Sequence, residues 1–492
     1  MLPAGFIFFQ AVHNKAKRRL FMEVSACLSD NVAEMQRLFA RDRTLVQRDI
    51  APLGAPQVHV ALFFCDGMID NTRINEAIVR PLTLLASDCT DVMTLVRGVV
   101  QINEMKPCSD FDTLLHSMLY GDTILFCAGS AQALILNTKG FSQRSIAEPP
   151  DESVLKGPRE GFSEGILLNL SLLRRKIRTT HLKFEYLTLG TETKTTCCLC
   201  YIDGIVDLRA LHAVRARMEE ISLDSILSAS YVSECLYSDL SPFRTINSTE
   251  RPDVVAAKLL EGRVAVLIDG SPVALTLPCV FVECFQTAED YYTSVAFTAI
   301  ARCLRMLGFF LAISVVPLYL AMLMYHAELI PEPLLISIAQ ARRGVPFPTL
   351  VEAIALLVVF ELLRESGART TAAFGNTLSI VGGLVLGTAA VEARFVSAPM
   401  VIIVAFSGIA GLMTPKLKAS VITVRFLLIT LAVAAGIYGY LAGLFLLLLH
   451  LATRSSFGVP YLTASAEDSM LRVSWRSMQR SGRFVARRRN RT

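Results

Sequence analysis

From residue 306 to 325 the chain reads MLGFFLAISVVPLYLAMLMY, an uncharged run. At 1.5 Å per residue a helix of that length covers about 30 Å, the thickness of a bilayer's hydrocarbon core. Three more uncharged stretches follow, 371–391, 395–415 and 426–449, rich in Gly and Ala. Short segments holding Arg394, then Lys416, Lys418 and Arg425 separate them. A water-soluble core rarely needs four such runs, so the region reads as a set of membrane spans. A fifth stretch, 349–363, is short and interrupted by Glu352 and Glu361. A carboxylate facing hydrocarbon is costly, which predicts a re-entrant or interior helix shielded from lipid.

Upstream of residue 292 charges and short apolar runs are mixed, as in soluble domains, so the mean hydropathy of +0.48 averages two unlike regions. The net charge is only +5, from 48 Lys+Arg against 43 Asp+Glu, and no global basic field points to nucleic acid as a partner. The tail after Asp468 carries eight arginines and no acid, which predicts a cytosolic C-terminus by the positive-inside rule. Its arginines suit anionic head groups as well as topology, and Trp475 among them suits the head-group level. At the N-terminus the basic cluster follows the apolar stretch, the wrong order for a secretory signal. Both termini are therefore expected in the cytosol, with four spans plus one non-spanning helix.

The soluble part reads as two α/β or α+β subdomains ahead of an all-α polytopic membrane domain. Residues 58–64 (VHVALFF) predict a strand, 70–85 a helix, and 123–136 two strands around Gly129. Residues 148–161 have the Pro, Gly and charge content of a linker. Beyond it, 162–177 predicts an amphipathic helix closed by Arg174, Arg175, Lys176 and Arg178, read as a solvated helix end in preference to an anion site. Strands are expected at 195–202, 263–268 and 271–277, with helices at 208–222, 226–231 and 252–260. Asp269-Gly270 signals a hairpin through a type I′ turn. The expected division is 1–147, linker 148–161, 162–297, membrane domain 298–455 and basic tail 456–492.

Chemistry-bearing motifs are scarce. Cys197, Cys198 and Cys200 lack paired C-x-x-C spacing, and a buried strand is preferred to a zinc site. No Walker loop, G-x-S-x-G elbow or H-E-x-x-H occurs, so no catalytic, cofactor or metal site and no enzyme activity are expected.

Several strings resemble the GerA family of spore germination proteins, the A-type subunits of nutrient germinant receptors. They are EPPDESVLKGPREGF from Glu148, YIDGIVD from Tyr201, ERPDVVAAKLLEGRVAVLIDGSPVALTLP from Glu250 and EDYYTS from Glu289. In the apolar half RRGVPFPTLVEA from Arg342, FELLRESGAR from Phe360, LSIVGGLVLGTAAVEA from Leu378 and SFGVPYL from Ser456 continue the series. The resemblance implies a multi-pass subunit of the spore's inner membrane that works with B- and C-type partners. It also implies a homo-oligomer, a pentamer, forming a ligand-gated ion conduit that starts ion release. The alternative it leaves open is a non-conducting accessory or scaffold subunit of the germination or dipicolinic-acid release machinery. The chain departs from the family strings at Ser366, Thr370-Thr371, Arg343, Thr388 and Arg394.

Within the membrane half, Glu352 and Glu361 stand nine residues apart, on opposite faces of one helix, and cannot both line a pore. Glu361 and Arg364, at i and i+3, are the natural ion pair. Glu352 or Glu361 is a candidate for an ion path, against a structural role pairing with Arg342, Arg343 or Arg364. Gly383 and Gly387 have the small-xxx-small spacing that lets helices approach closely, for internal packing or for oligomerisation.

Overall fold

The computed structural model describes residues 23–51, 58–84, 92–140, 152, 157–237, 241–369 and 387–462. The chain divides into two compact units, residues 1–237 with 246–278, and 238–245 with 279–492. The second begins at Cys279, some twenty residues before the composition changes. Phe281 and Phe285 explain the difference, since they pack with Phe309 and Tyr461 of the helical unit.

In the first unit, α1 (Leu28–Leu38) precedes β1 (Leu45–Ile50) and β2 (Val60–Cys65). Helix α2 covers 71–83, its start capped by Asp70 accepting from the backbone of Thr72 and Arg73, with a π-helical stretch at Ile74–Val79. Then come α3 (Val92–Val99), β3 (Met105–Cys108), α4 (Phe111–Met118), β4 (Thr123–Cys127) and β5 (Ala133–Leu136). The sheet is antiparallel throughout, in order β1-β2-β4-β5-β3. Strand β2 does not alternate because helices cover both faces. Val60, Leu62 and Phe64 meet Ile74, Ile78 and Leu82 on one side, while Ala61, Phe63 and Cys65 meet Met35, Leu114 and Met118 on the other.

The second sheet repeats the plan. After α5 (Ile166–Lys176) come β6 (Leu182–Leu189), β7 (Thr195–Ile202), α6 (Leu208–Glu219) and α7 (Ala229–Leu236). Strand β8 (Asn247–Thr249), α8 (Pro252–Leu260), β9 (Val264–Ile268) and β10 (Ala274–Leu277) complete it, in antiparallel order β6-β7-β9-β10-β8. Two wholly antiparallel sheets make the unit α+β. The β9–β10 hairpin forms, but Asp269 is not at positive φ; Gly270 alone is, at 78°, and the register leaves a longer loop than a type I′ turn has. Asp269 instead accepts from the backbone N–H of Ile166, starting α5.

Arg174 corrects the reading of a solvated helix end. It is 1% exposed, donates to Asp42 at 2.6 Å and Thr44 at 3.0 Å, and lies over the Phe184 ring at 4.7 Å. The pair joins the two sheets, as do Lys183 Nζ on the Leu38 carbonyl at 2.9 Å and the backbone of Arg43 on that of Phe184. Arg175 and Lys176 pair with Glu160, and Arg178 stacks on Tyr120. The described residues of the 148–161 stretch are likewise held: buried Arg251 donates to the carbonyls of Glu152 and Pro158.

The second unit is helical: α9 (Val295–Tyr325), α10 (Glu332–Ala341), α11 (Thr349–Arg369), α12 (Gly387–Glu392), α13 (Ala398–Leu412) and α14 (Lys418–Thr453). Helix α13 runs antiparallel to α9, with Gly308 against Met413 and Tyr319 clustered with Met400. The 349–363 stretch extends to a 21-residue helix whose Ala353 and Leu357 pack with Val316, Tyr319 and Leu320 of α9.

Helix α14 is broken at Ala435 (φ −139°) and Gly436 (φ 59°) and folds back on itself. A Cβ at Gly443 would lie 2.6 Å from Leu428, and one at Gly439 would overlap the Leu431 carbonyl. Both outer ends reach one loop, through Ser420 on the Pro242 carbonyl at 2.6 Å and His450 with Ser241 at 2.9 Å. The 426–449 stretch, read as one span, is therefore divided between two arms of a hairpin. Its turn lies against Tyr325 and His326 at the end of α9.

Candidate ionic sites of the helical unit

Three charged sites lie within or against the bundle. At the first, Glu352 in the opening turn of α11 is 1% exposed. Its Oε1 accepts from both the backbone N–H and the hydroxyl of Ser397, each at 2.5 Å, so the carboxylate anchors the start of α13. Among the described residues its Oε2 has no hydrogen-bond partner, and Arg342 Nε stands 4.0 Å away. The buried Tyr319 hydroxyl on α9 is also without a hydrogen-bond partner among the described residues.

At the second, Glu361 and Arg364 form the expected i, i+3 ion pair. Arg425 joins it from α14, 3.8 Å from Glu361 and 2% exposed. Its Nε donates to the Ala312 carbonyl at 2.8 Å, and the Ser407 hydroxyl donates to the same carbonyl at 2.9 Å. Nearby, Glu365 pairs with Lys418 at 3.0 Å across α11 and α14. The two carboxylates of the sequence pattern thus contact different helices, as their opposite faces require.

At the third, Asp290 receives Arg302 at 2.8 Å and Arg305 at 3.0 Å, both from the first turns of α9. Burial alone would push the Asp290 carboxyl up. The hydrogen-bonded guanidiniums outweigh it and hold it below the usual carboxylate range. Sequence reasoning missed this cluster, although Asp290 falls inside the quoted string EDYYTS.

The sequence pattern sets Arg425 between two spans, because it directly precedes an uncharged run. Helix α14 begins at Lys418, which places Arg425 two turns inside. Gly383 lies outside the described residues. Gly387 opens α12, and a Cβ there would meet nothing within 4 Å among the described residues. Among the described residues close packing occurs at Gly439 and Gly443, which carry the same spacing, and at Gly408, where a Cβ would overlap the Phe360 ring. In the first unit Cys197, Cys198 and Cys200 are buried along β7, and among the described residues no cluster of three or more His, Cys, Asp or Glu side chains could hold a metal.

These features define a class: a tandem α+β unit followed by an apolar helical bundle with charged side chains inside. Ala296–Tyr325 is a helix long and apolar enough to cross a membrane, and Pro415–Thr453 reaches that length and apolarity as the sum of its two arms. The family model for the Bacillus/Clostridium GerA spore germination protein matches residues 33–484, and the chain belongs to that family. It is 37% identical over 464 residues to Spore germination protein KA of Bacillus subtilis (strain 168), covering 92% of this chain and 85% of that one. It is 34% identical over 451 residues to Spore germination protein GerLA of Bacillus cereus, covering 90% and 91%. Among solved structures, the N-terminal domain of the A subunit of the Bacillus megaterium spore germinant receptor GerK3 aligns at 29% identity and a TM-score of 0.43. That alignment covers 54% of this chain and 99% of that one.

Proposed function

We propose that this chain is the membrane-embedded A-type subunit of a spore germinant receptor, working with B- and C-type subunits in the spore's inner membrane. It carries out no chemical reaction in this reading. Copies assemble around an axis, a pentamer being the form expected, and provide an ion conduit that opens when partner subunits report a nutrient. The observation that carries the reading is the charge inside the apolar bundle: Glu352 and Arg425, at 1% and 2% exposure, are expensive to keep in such surroundings unless they serve passage or assembly. Both termini on the cytosolic side is consistent with a bundle entered beside Asp290 and left at His450, because Phe281 and His450 both pack against Phe243.

A second reading, a non-conducting scaffold, is favoured by one observation: Glu361 and Glu365 are both ion-paired within the chain. Conductance of the full chain in planar bilayers, alone and with B- and C-type partners, separates the two. Current whose selectivity changes with Glu352→Gln supports the conduit, whereas an intact oligomer silent in every combination leaves the scaffold.

A further inference from the structure

Several helix ends of the bundle meet at one level. Helix α9 closes at Tyr325 and His326, against the break in α14 at Gly436. Glu352 near the start of α11 holds Ser397 ahead of α13, and Tyr319 packs with Ala353 and Met400, so α11 and α13 both begin beside the last turns of α9. The Asp290 cluster and His450 belong to the opposite end.

The surface at this level is aromatic and basic. Tyr325 and Tyr438 are exposed, and exposed Phe347 and Phe395 stack on one another, with ring centroids 6.4 Å apart and planes at 21°. Exposed rings at the ends of apolar helices mark the boundary between hydrocarbon and head groups. Helix α10 suits the same level: ten residues cannot cross, Ile338 is its one buried residue, and Arg342 and Arg343 follow it.

Arg343 stands four residues before Phe347, and Arg394 one before Phe395; both arginines are exposed. Arg394 has φ 55°, and its side chain lies over Gly344, where a Cβ would stand 3.0 Å from Cδ and 3.1 Å from Nη1. One guanidinium is thereby seated beside the residue next to the other arginine. The turn at 394 asks only for positive φ, which glycine meets without strain, so the local backbone does not call for arginine there. Nor does an acid. Arg342 faces Glu352, but among the described residues neither Arg343 nor Arg394 belongs to an ion pair, although Glu392 is two residues from Arg394. Two surplus positive charges beside two exposed rings fit a partner that is anionic and apolar at once.

We infer that Arg343 and Arg394 bind the phosphate of an anionic phospholipid, with Phe347 and Phe395 set among the first methylenes of its acyl chains. Arginine donates paired hydrogen bonds to a phosphate, and a zwitterionic head group, which carries its own ammonium, gains less from the surplus charge. The inference rests on the membrane-embedded reading and adds a lipid class to it.

The test is native mass spectrometry of the purified full chain in detergent, titrated with phosphatidylglycerol, phosphatidylcholine or soluble glycerol 1-phosphate. Wild type is expected to hold phosphatidylglycerol about twenty-fivefold more tightly than phosphatidylcholine, and not to hold glycerol 1-phosphate. Arg343→Gln and Arg394→Gly should each remove about fivefold of that preference, and the double variant all of it. Arg394→Gly relaxes a left-handed position, so its loss reports binding and not misfolding. Equal affinity for the two lipids overturns the inference, as does glycerol 1-phosphate bound as tightly as the lipid. So does a preference that survives the double variant; if the oligomer falls apart at the same time, the patch is a contact between copies. Alkaline carbonate washing of membranes separates this failure from that of the membrane-embedded reading: a chain washed off removes that reading, and a chain that stays but shows no lipid preference removes the lipid site alone.

Discussion

The two units bury arginines in opposite ways. In the α+β unit, Arg174 and Arg251 are each answered at 2.6–2.8 Å by a carboxylate of their own, with Thr44, Glu152 or Pro158 taking further donors. In the helical unit, Arg425 shares Glu361 with Arg364 at a longer distance, 3.8 Å; Arg174 Nη1 and Arg425 Nη2 alike are buried without a hydrogen-bond partner among the described residues. The first arrangement joins segments far apart in sequence. The second makes one carboxylate serve two guanidiniums inside a bundle, which is costly for stability.

Removing one partner of the satisfied pair should give the largest effect. Asp42→Ala leaves Arg174 buried and uncompensated and is expected to cost roughly 3–5 kcal/mol, read from denaturant unfolding of the α+β unit's signal in the full chain. Arg425→Gln, by contrast, should cost less than about 1 kcal/mol, because it removes the surplus charge. Equal losses for the two would end the distinction.

Next in size is the hairpin. Gly443→Leu must displace Leu428 and should lower stability by roughly 1–3 kcal/mol, whereas Gly387→Ala, in open space, should be neutral. A thermal scan in detergent ranks them, and a neutral Gly443→Leu would mean that the arms do not pack as described.

The Asp290 cluster sharpens the comparison through pH. A carboxyl held below its usual range stabilises the fold at neutral pH, and this contribution is lost as pH falls through the folded value. The stability difference between wild type and Asp290→Asn should therefore narrow as unfolding is measured from about pH 5 towards pH 3; a constant difference would show that Asp290 acts by shape alone.

The smallest effect concerns thiols. Burial pushes Cys65 up to about 11 and Cys197 up to about 12, so both should resist alkylation at pH 8 in the folded chain. Exposed Cys27 and Cys235 should react before them, as mass spectrometry of partial digests would record; early labelling at Cys197 would contradict a closed sheet.

Local patterns were legible in the sequence. The β7 strand, the β9–β10 hairpin and the Glu361–Arg364 pair all depend on neighbours within a few residues. Asp42 and Arg174 are 132 residues apart, and no periodicity links them. The break at Ala435–Gly436 was hidden for another reason: a helix apolar on every face carries no moment to mark where it reverses. Arg425 was misplaced because charge at the edge of an apolar run reads as a boundary, while the helix start at Lys418 lies seven residues earlier.

The reversal in α14 also bears on how the chain is made. Each arm has about 17 residues, or roughly 25 Å of helix, the lower limit for crossing a bilayer alone. Ala435 and Gly436 offer no polar loop to be hauled across separately. In the membrane-embedded reading proposed above, biogenesis has to deliver both arms into lipid together, already paired through Gly439 and Gly443, so that a fault in their packing shows as a failure of insertion first.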